Sequence, residues 1–414
     1  MIAHPLEVLN ISRVAPMMVG IVEGFYGQPW DLLDRISMVS YMGRVRLNLY
    51  IYAPKDDPYH RVSWRSPYPQ HQMEGFSMLI DACARNGVAF GYAISPGLDI
   101  DYSSKSDIDI LIRKLSMFMD LGTRVLGIFL DDIPPELRGR GFKSLAEAQA
   151  SIANRVYREL SPDRLFLVPT YYWGYEEGYL RELGSLLDSG VEIVWTGRYV
   201  VSPTIDLDDI ERFREIAGRY PAIWDNYPVN DFFMVRGVIR LHMGPIKGRD
   251  PRIFAVSPAY MSNPMNQAEA SKIPIYSISR IARGYELGDM VLEKAVELIA
   301  GEEVWDALKL FVRLNSSSPL DPEADFEPSG GEAKSLIDMV DTLRRSLGNK
   351  KLLREISPIL SFIESLAKTL ARGEKMPSKA YRIQTAGLYD PPISDETMVR
   401  VFGRVTRRRP MWIS

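Results

Sequence analysis

Eight short apolar runs, separated by segments of helical periodicity, constrain this chain more than any other feature. The runs are 18–26, 47–54, 88–95, 124–131, 165–170, 191–196, 221–225 and 253–257. Between them apolar residues return every three or four positions, as in Ile108, Leu111, Ile112, Leu115 and Met119, or Leu145, Ala148, Ile152, Val156 and Leu160. That spacing lays one apolar stripe along a helix. Runs without alternation, such as Val125-Leu126-Gly127-Ile128-Phe129-Leu130, suit strands covered on both faces, as in parallel sheets. Eight such strands alternating with helices over about 250 residues predict an α/β fold, a (β/α)8 TIM barrel. A doubly wound sheet is the alternative, and the number of runs favours the barrel.

From about residue 265 the strand signals stop. Segments 290–314, 332–347 and 352–371 read as helices with apolar stripes. The stretch 315–331, rich in Ser, Pro, Asp and Glu, reads as an exposed loop or linker. The expected organisation is a catalytic barrel over residues 1–282 and a mostly α-helical C-terminal domain over 283–414. The helical part is expected to pack on the barrel or to build a homodimer. Arg400, Arg404, Arg407, Arg408 and Arg409 read as a solvated cluster rather than a nucleic-acid surface, because interleaved aromatics are sparse.

Composition works by exclusion. The 414 residues carry a formal net charge of −3, so no global basic field draws nucleic acid or an anionic membrane. No apolar stretch reaches the roughly 18 residues of a membrane span, and the N-terminus lacks the pattern of a secretory signal. Cys83 is the single cysteine, which excludes an intramolecular disulfide and suits a reducing, cytoplasmic compartment. Its apolar setting on a helix makes it an inert thiol. His4, His60, His71 and His242 form no metal-binding pair, so no zinc site is expected, although carboxylate-bound magnesium stays open. No phosphate-binding glycine loop or dinucleotide fingerprint is present. The sequence asks for no cofactor.

The fourth run ends in adjacent carboxylates, Asp131 and Asp132. The C-terminal ends of barrel strands form the mouth where ligands bind. The plain alternative is that one aspartate caps the next helix and the other is solvated. Other runs end in comparable mixtures: Glu23-Gly24-Phe25-Tyr26, Tyr52-Ala53-Pro54-Lys55, Thr170-Tyr171-Tyr172-Trp173, Trp195-Thr196 and Trp224-Asp225-Asn226. Flat aromatic faces beside directional hydrogen-bonding groups suit a sugar, which has C–H faces and a rim of hydroxyls.

These stretches closely resemble glycoside hydrolase family 84, the O-GlcNAcase and hyaluronidase-like β-N-acetylglucosaminidases. The matching motifs are GIVEGFYG (20–27), YAPKDDPYHR (52–61), AISPGLDI (93–100), DDI (131–133), WTG (195–197), WDNYPVND (224–231), GPIKGR (244–249) and NPM (263–265). The resemblance implies a barrel followed by a helical domain, and a retaining hydrolase without cofactor acting on N-acetylglucosamine-containing glycosides or glycoproteins. It implies that the substrate's own acetamido oxygen is the nucleophile, forming an oxazoline. Asp131 would then orient the acetamido N–H, and Asp132 would be the general acid and base. Gly24 (through its backbone), Lys55, Asp231 and Asn263 match contacts to sugar hydroxyls. Asn226 matches a polar residue near the acetamido side, and Tyr172 and Trp224 an aromatic wall around the N-acetyl group with Thr196 close by. Glu23 and Asp225 read as carboxylates that brace loops. A few extra, mainly apolar residues near 235–243 predict a reshaped pocket rim. Two other readings stay open from the residues alone: a non-catalytic sugar-binding barrel, and a carboxylate-metal lyase or isomerase.

Overall fold

The computed structural model describes residues 17–234, 239–288, 290–321, 328 and 330–372. Its strands are β1 (Met18–Glu23), β2 (Leu49–Tyr52), β3 (Ala89–Ile94), β4 (Val125–Phe129), β5 (Arg164–Val168), β6 (Val191–Trp195), β7 (Ala222–Asp225) and β8 (Ala259–Ser262). They close in chain order into a parallel barrel, with Met18 opposite Ala259 and Ile21 opposite Ser262 sealing β1 to β8. Helices stand between successive strands. The architecture is the (β/α)8 barrel that the spacing of the runs predicts.

Alternation along each strand sorts the core into two layers. Val22, Leu49, Ile51, Ala93, Phe129, Phe166, Val194 and Met261 fill the barrel interior as one cluster. Ile21, Tyr50, Tyr92, Ile128, Leu167, Ile193 and Tyr260 face outward and pack with the helices. Helix starts are fixed locally. Ser104, Ser144 and Asp206 each accept a backbone N–H three residues on, so the helices after β3, β4 and β6 begin at set points.

One strand differs from expectation. The run 253–257 forms the helical turn Ile253–Val256, and the eighth strand is the next segment, Ala259–Ser262. Position in the sheet decides this, because Tyr260 and Met261 lie opposite Ile223 and Trp224 on one side and pair with β1 on the other.

Beyond the barrel the helices are Met290–Ile299, Trp305–Arg313, Ala333–Ser346 and Lys350–Ala371. The segment read as one helix over 290–314 is interrupted around Gly301, a residue that weakens helix interiors. These helices bury Leu308, Phe311, Leu336, Leu343, Ile356 and Leu360 together with Leu241, Met243, Met265, Ala270 and Ile273. The extra segment expected at the pocket rim thus sends Leu241 and Met243 into the core beneath the helices, while residues 235–238 lie outside the described residues. The tail arginines lie outside them too. Among the described residues no helix is long and apolar enough to cross a membrane.

Candidate active site

The site begins where β4 ends. Leu130 N–H still donates to the Val168 carbonyl (2.8 Å), so the chain stays in the sheet one residue past the strand. Asp131 follows, buried, and then Asp132 takes a left-handed backbone with φ 53°. Aspartate tolerates this region better than most residues, because its short polar side chain can bond locally. The break ends the strict alternation of a strand, which would point neighbouring side chains to opposite faces. Both carboxylates consequently act on the same surroundings: the charges of Asp131 and Asp132 both bear on the phenols of Tyr26 and Tyr172.

The two carboxylates have different partners. Asp131 Oδ2 accepts from Lys55 Nζ in a buried ion pair. Asp131 Oδ1 is buried without a partner among the described residues. Buried polar atoms are nearly always paired, so this oxygen is an acceptor waiting for a donor. Asp132 Oδ1 accepts from the Tyr172 hydroxyl (2.7 Å) and Oδ2 from the Tyr26 hydroxyl (2.9 Å). Burial, and then the Asp132 charge, pushes both phenols well above their ordinary range, so they remain neutral donors.

The other side chains close around this pair. Asp231 opens the short helix Asp231–Met234, and its Oδ2 accepts from Tyr26 N–H (2.9 Å). Burial pushes the Asp231 carboxyl up to about 6, the Asp132 charge adds to the rise, and backbone N–H donors with Lys55 oppose it. Asn263 Oδ1 accepts from Gly24 N–H (3.3 Å), and its Nδ2 donates to Asn226 Oδ1 (3.0 Å). Asn226 Oδ1 also accepts from Trp224 Nε1 (2.8 Å), and its Nδ2 donates to the Val200 carbonyl (2.7 Å). Lys55 Nζ stands 5.7 Å from the centre of the Trp224 ring. Gly24 lies flat against that ring, where an added Cβ would come within 2.4 Å of two ring carbons. Thr196 sits behind Tyr172: its N–H donates to the Tyr172 carbonyl (2.9 Å) and its hydroxyl to the Tyr199 carbonyl (2.9 Å). Among the described residues no cluster of three or more His, Cys, Asp or Glu is arranged to hold a metal ion.

The sequence profile of the family described as beta-N-acetylglucosaminidase matches residues 19–313. The chain belongs to that family. Its fourth-strand aspartates and the surrounding motifs therefore sit in a glycoside hydrolase barrel, and the resemblance to family 84 drawn from the motifs holds. Protein O-GlcNAcase of Rattus norvegicus and of Mus musculus are each 37% identical over 273 residues, covering 63% of this chain and 29% of theirs. The chain thus spans less than a third of the length of those relatives. Among solved structures, a mutant of the Thermobaculum terrenum O-GlcNAc hydrolase superposes with a TM-score of 0.76 at 33% identity, covering 86% of this chain and 83% of that one. The protein CpGH84B superposes with a TM-score of 0.72 at 28% identity, covering 94% of this chain and 73% of that one.

Two residues of this family member touch the aspartate pair without having been singled out in the sequence. Tyr26 contributes the second phenol on Asp132. Arg61 donates to the Asp132 carbonyl oxygen (2.9 Å). Both lie inside motifs that the sequence displays, yet nothing in their neighbourhood announces these contacts. Asn266 Nδ2 also donates to the Tyr26 carbonyl (2.9 Å), holding that loop over the site. Glu23 and Asp225 are each locked by an arginine and a tyrosine. Glu23 pairs with Arg35 (2.8 Å) and accepts from Tyr50, and Asp225 pairs with Arg249 (2.6 Å) and accepts from Tyr260.

Proposed function

We propose that the chain is a retaining exo-β-N-acetylglucosaminidase of O-GlcNAcase type, working by substrate-assisted catalysis. The observation that carries the reading is the unequal partnering of Asp131 and Asp132. Asp131 is ion-paired with Lys55 and keeps one buried oxygen free. That oxygen can accept the substrate's acetamido N–H. Asp132 holds only neutral phenols on its carboxylate, so no fixed cation locks it as an anion. A group of that kind can carry a proton to the leaving oxygen.

In the first step the acetamido oxygen attacks the anomeric carbon as the bond to the aglycone breaks. Asp132 gives its proton to the departing oxygen, and Asp131 draws the acetamido N–H and steadies the positive charge of the oxazoline. In the second step Asp132 takes a proton from water, whose oxygen attacks the same carbon and reopens the ring. Two inversions retain the configuration, the outcome of double-displacement glycosidases. The Gly24 backbone, Lys55, Asp231 and Asn263 would hold the sugar hydroxyls. Tyr172, Trp224 and Asn226 would enclose the acetamido group, with Thr196 fixing Tyr172 from behind. The substrate class is an N-acetylglucosamine-containing glycoside or glycoprotein, and the lone buried Cys83 thiol suits a cytoplasmic setting.

The test is release of 4-nitrophenol from its N-acetyl-β-glucosaminide by the wild type and by Asp132→Asn, with a chelator present. Turnover that survives the chelator, falls in the variant and is blocked by a thiazoline mimic of the oxazoline is the expected result. A folded wild type that binds N-acetylglucosamine without turnover would replace the hydrolase reading with sugar binding.

A further inference from the structure

The guanidinium of Arg61 lies beside the aspartate pair and spends its hydrogen bonds in an unexpected way. It is buried, and the charges of Asp131, Asp132 and Asp56 all bear on it. Yet its donors go to the main-chain carbonyl of Asp132 (2.9 Å) and to Ser95 Oγ (3.3 Å), and none to either carboxylate. The carbonyl it grips belongs to the residue with φ 53°, the one whose backbone departs from the strand.

The loop that presents Arg61 is itself clamped. Lys114 Nζ, from the helix Lys105–Asp120, donates to the carbonyls of Tyr59 (2.6 Å), Trp64 (2.8 Å) and Ser66 (2.7 Å). The His60 carbonyl accepts from Ser95 N–H (2.9 Å), and His60 Nδ1 bonds the Ala93 carbonyl (2.8 Å). Arg61 is therefore a fixed fork on a fixed loop. A planar guanidinium held at two points sets the direction of the peptide that follows Asp132, and with it the backbone angle that aims the side chain.

We propose that Arg61 is a positioning residue for the general acid: by holding the Asp132 carbonyl it keeps that residue in its left-handed turn, with its carboxyl against the two phenols. This rests on the reading of Asp132 as acid and base. The contact has a second consequence. A guanidinium bonded to the carboxylate itself would hold it ionised, whereas bonding the carbonyl places the cation nearby and leaves the carboxyl free to gain and lose a proton. Arg61 thus acts on when and where the proton moves and does not touch the sugar.

Leaving groups separate this role from a general bracing one. A dinitrophenyl N-acetyl-β-glucosaminide departs without protonation, and the phenyl glycoside needs the acid. Arg61→Met, similar in volume and without donors, is expected to lower kcat/KM on the phenyl glycoside by about 100-fold, in the range general acids contribute, and by less than about tenfold on the dinitrophenyl one. Its affinity for N-acetylglucosamine, measured by calorimetry, stays within about threefold of wild type, because Arg61 holds the backbone of the acid and Ser95. Adding Arg61→Met to Asp132→Asn costs nothing further on the phenyl glycoside, as expected for residues acting through one group. Equal losses on both glycosides, or an additive loss in the double variant, would overturn the proposal. Should Arg61→Met fail to fold, Ser95→Ala removes the other hold on the guanidinium and carries the same criterion, a larger loss on phenyl than on dinitrophenyl. If Asp132→Asn itself shows no dependence on the leaving group, the assignment of the acid fails first, and the role of Arg61 falls with it.

Discussion

Asp231 shows how much one residue's surroundings decide. Its carboxyl is pushed up to about 6 by burial first and by Asp132 second, so it loses its charge just below neutrality. An ionised carboxylate accepts hydroxyl hydrogen bonds more strongly than a protonated one. Affinity for N-acetylglucosamine, which is neutral, should fall as pH drops through about 6, while Asp231→Asn binds weakly at every pH. Calorimetry between mildly acid and mildly alkaline buffer checks this, and a flat wild-type profile would refute it. Gly24 gives a steric counterpart. A methyl group there meets the Trp224 ring at 2.4 Å, and overpacking of this kind costs about 1–3 kcal/mol. Gly24→Ala should therefore unfold at lower urea concentration and show a raised KM. At this scale the sequence was legible where a residue's place on a strand end already implies its surroundings, as for Asp131, Asp132 and Lys55. It was silent on Tyr26 and Arg61. Their contacts span 106 and 71 positions along the chain, and a tyrosine in a glycine-rich turn reads as packing until the barrel closes.

Among elements, the legible signals were those carried by period and continuity. Seven strands match the predicted runs to within one residue, because a strand buried on both faces must be apolar throughout. The eighth was misplaced by its neighbour. Ile253-Phe254-Ala255-Val256 is as apolar as Ala259-Tyr260-Met261-Ser262, and only pairing with β7 and β1 distinguishes them. The interruption near Gly301 was equally hidden inside a continuous apolar stripe. Ties between elements leave no periodicity at all, and the clearest is Lys114. It joins a helix to the loop after β2 through three backbone carbonyls. Removing the donor strands acceptors that each cost about 1–3 kcal/mol when buried and unpaired. Lys114→Met is expected to lose about 3 kcal/mol in urea unfolding with an unchanged slope, and to lose activity at urea concentrations where wild type keeps it. An unchanged midpoint would mean that water replaces the ammonium without cost.

For the molecule as a whole, the core runs on past residue 282, where the sequence reading divides the chain. Met265, Ala270 and Ile273 from the barrel side pack with Leu308, Leu336 and Leu360 of the later helices. A chain ending after Ala282 would expose that face and should aggregate. The same junction holds a titrating group. Glu355, on the helix Lys350–Ala371, accepts the N–H groups of Glu269 (3.0 Å) and Ala270 (2.9 Å) in the first turn of the helix Ala268–Ile281. Burial pushes its carboxyl up to about 7, the two N–H groups oppose the rise, and the charges of Glu269 and Asp34 add to it. The fold thus binds a proton that the unfolded chain has already lost. Stability from this site is complete below the ordinary glutamate range and drains away as pH rises through about 7. The full loss is at most about 3 kcal/mol. Glu355→Gln keeps a carbonyl oxygen for one N–H and cannot ionise. It should be no more stable than wild type at mildly acid pH and more stable at alkaline pH, so that the two plots of melting temperature against pH cross. Parallel plots would assign the alkaline loss to another group and leave Glu355 a plain cap. A crossing would show that the seam between barrel and helices loses stability as pH climbs from the glutamate range to about 7, at the helix that comes soon after Asn263 in the chain.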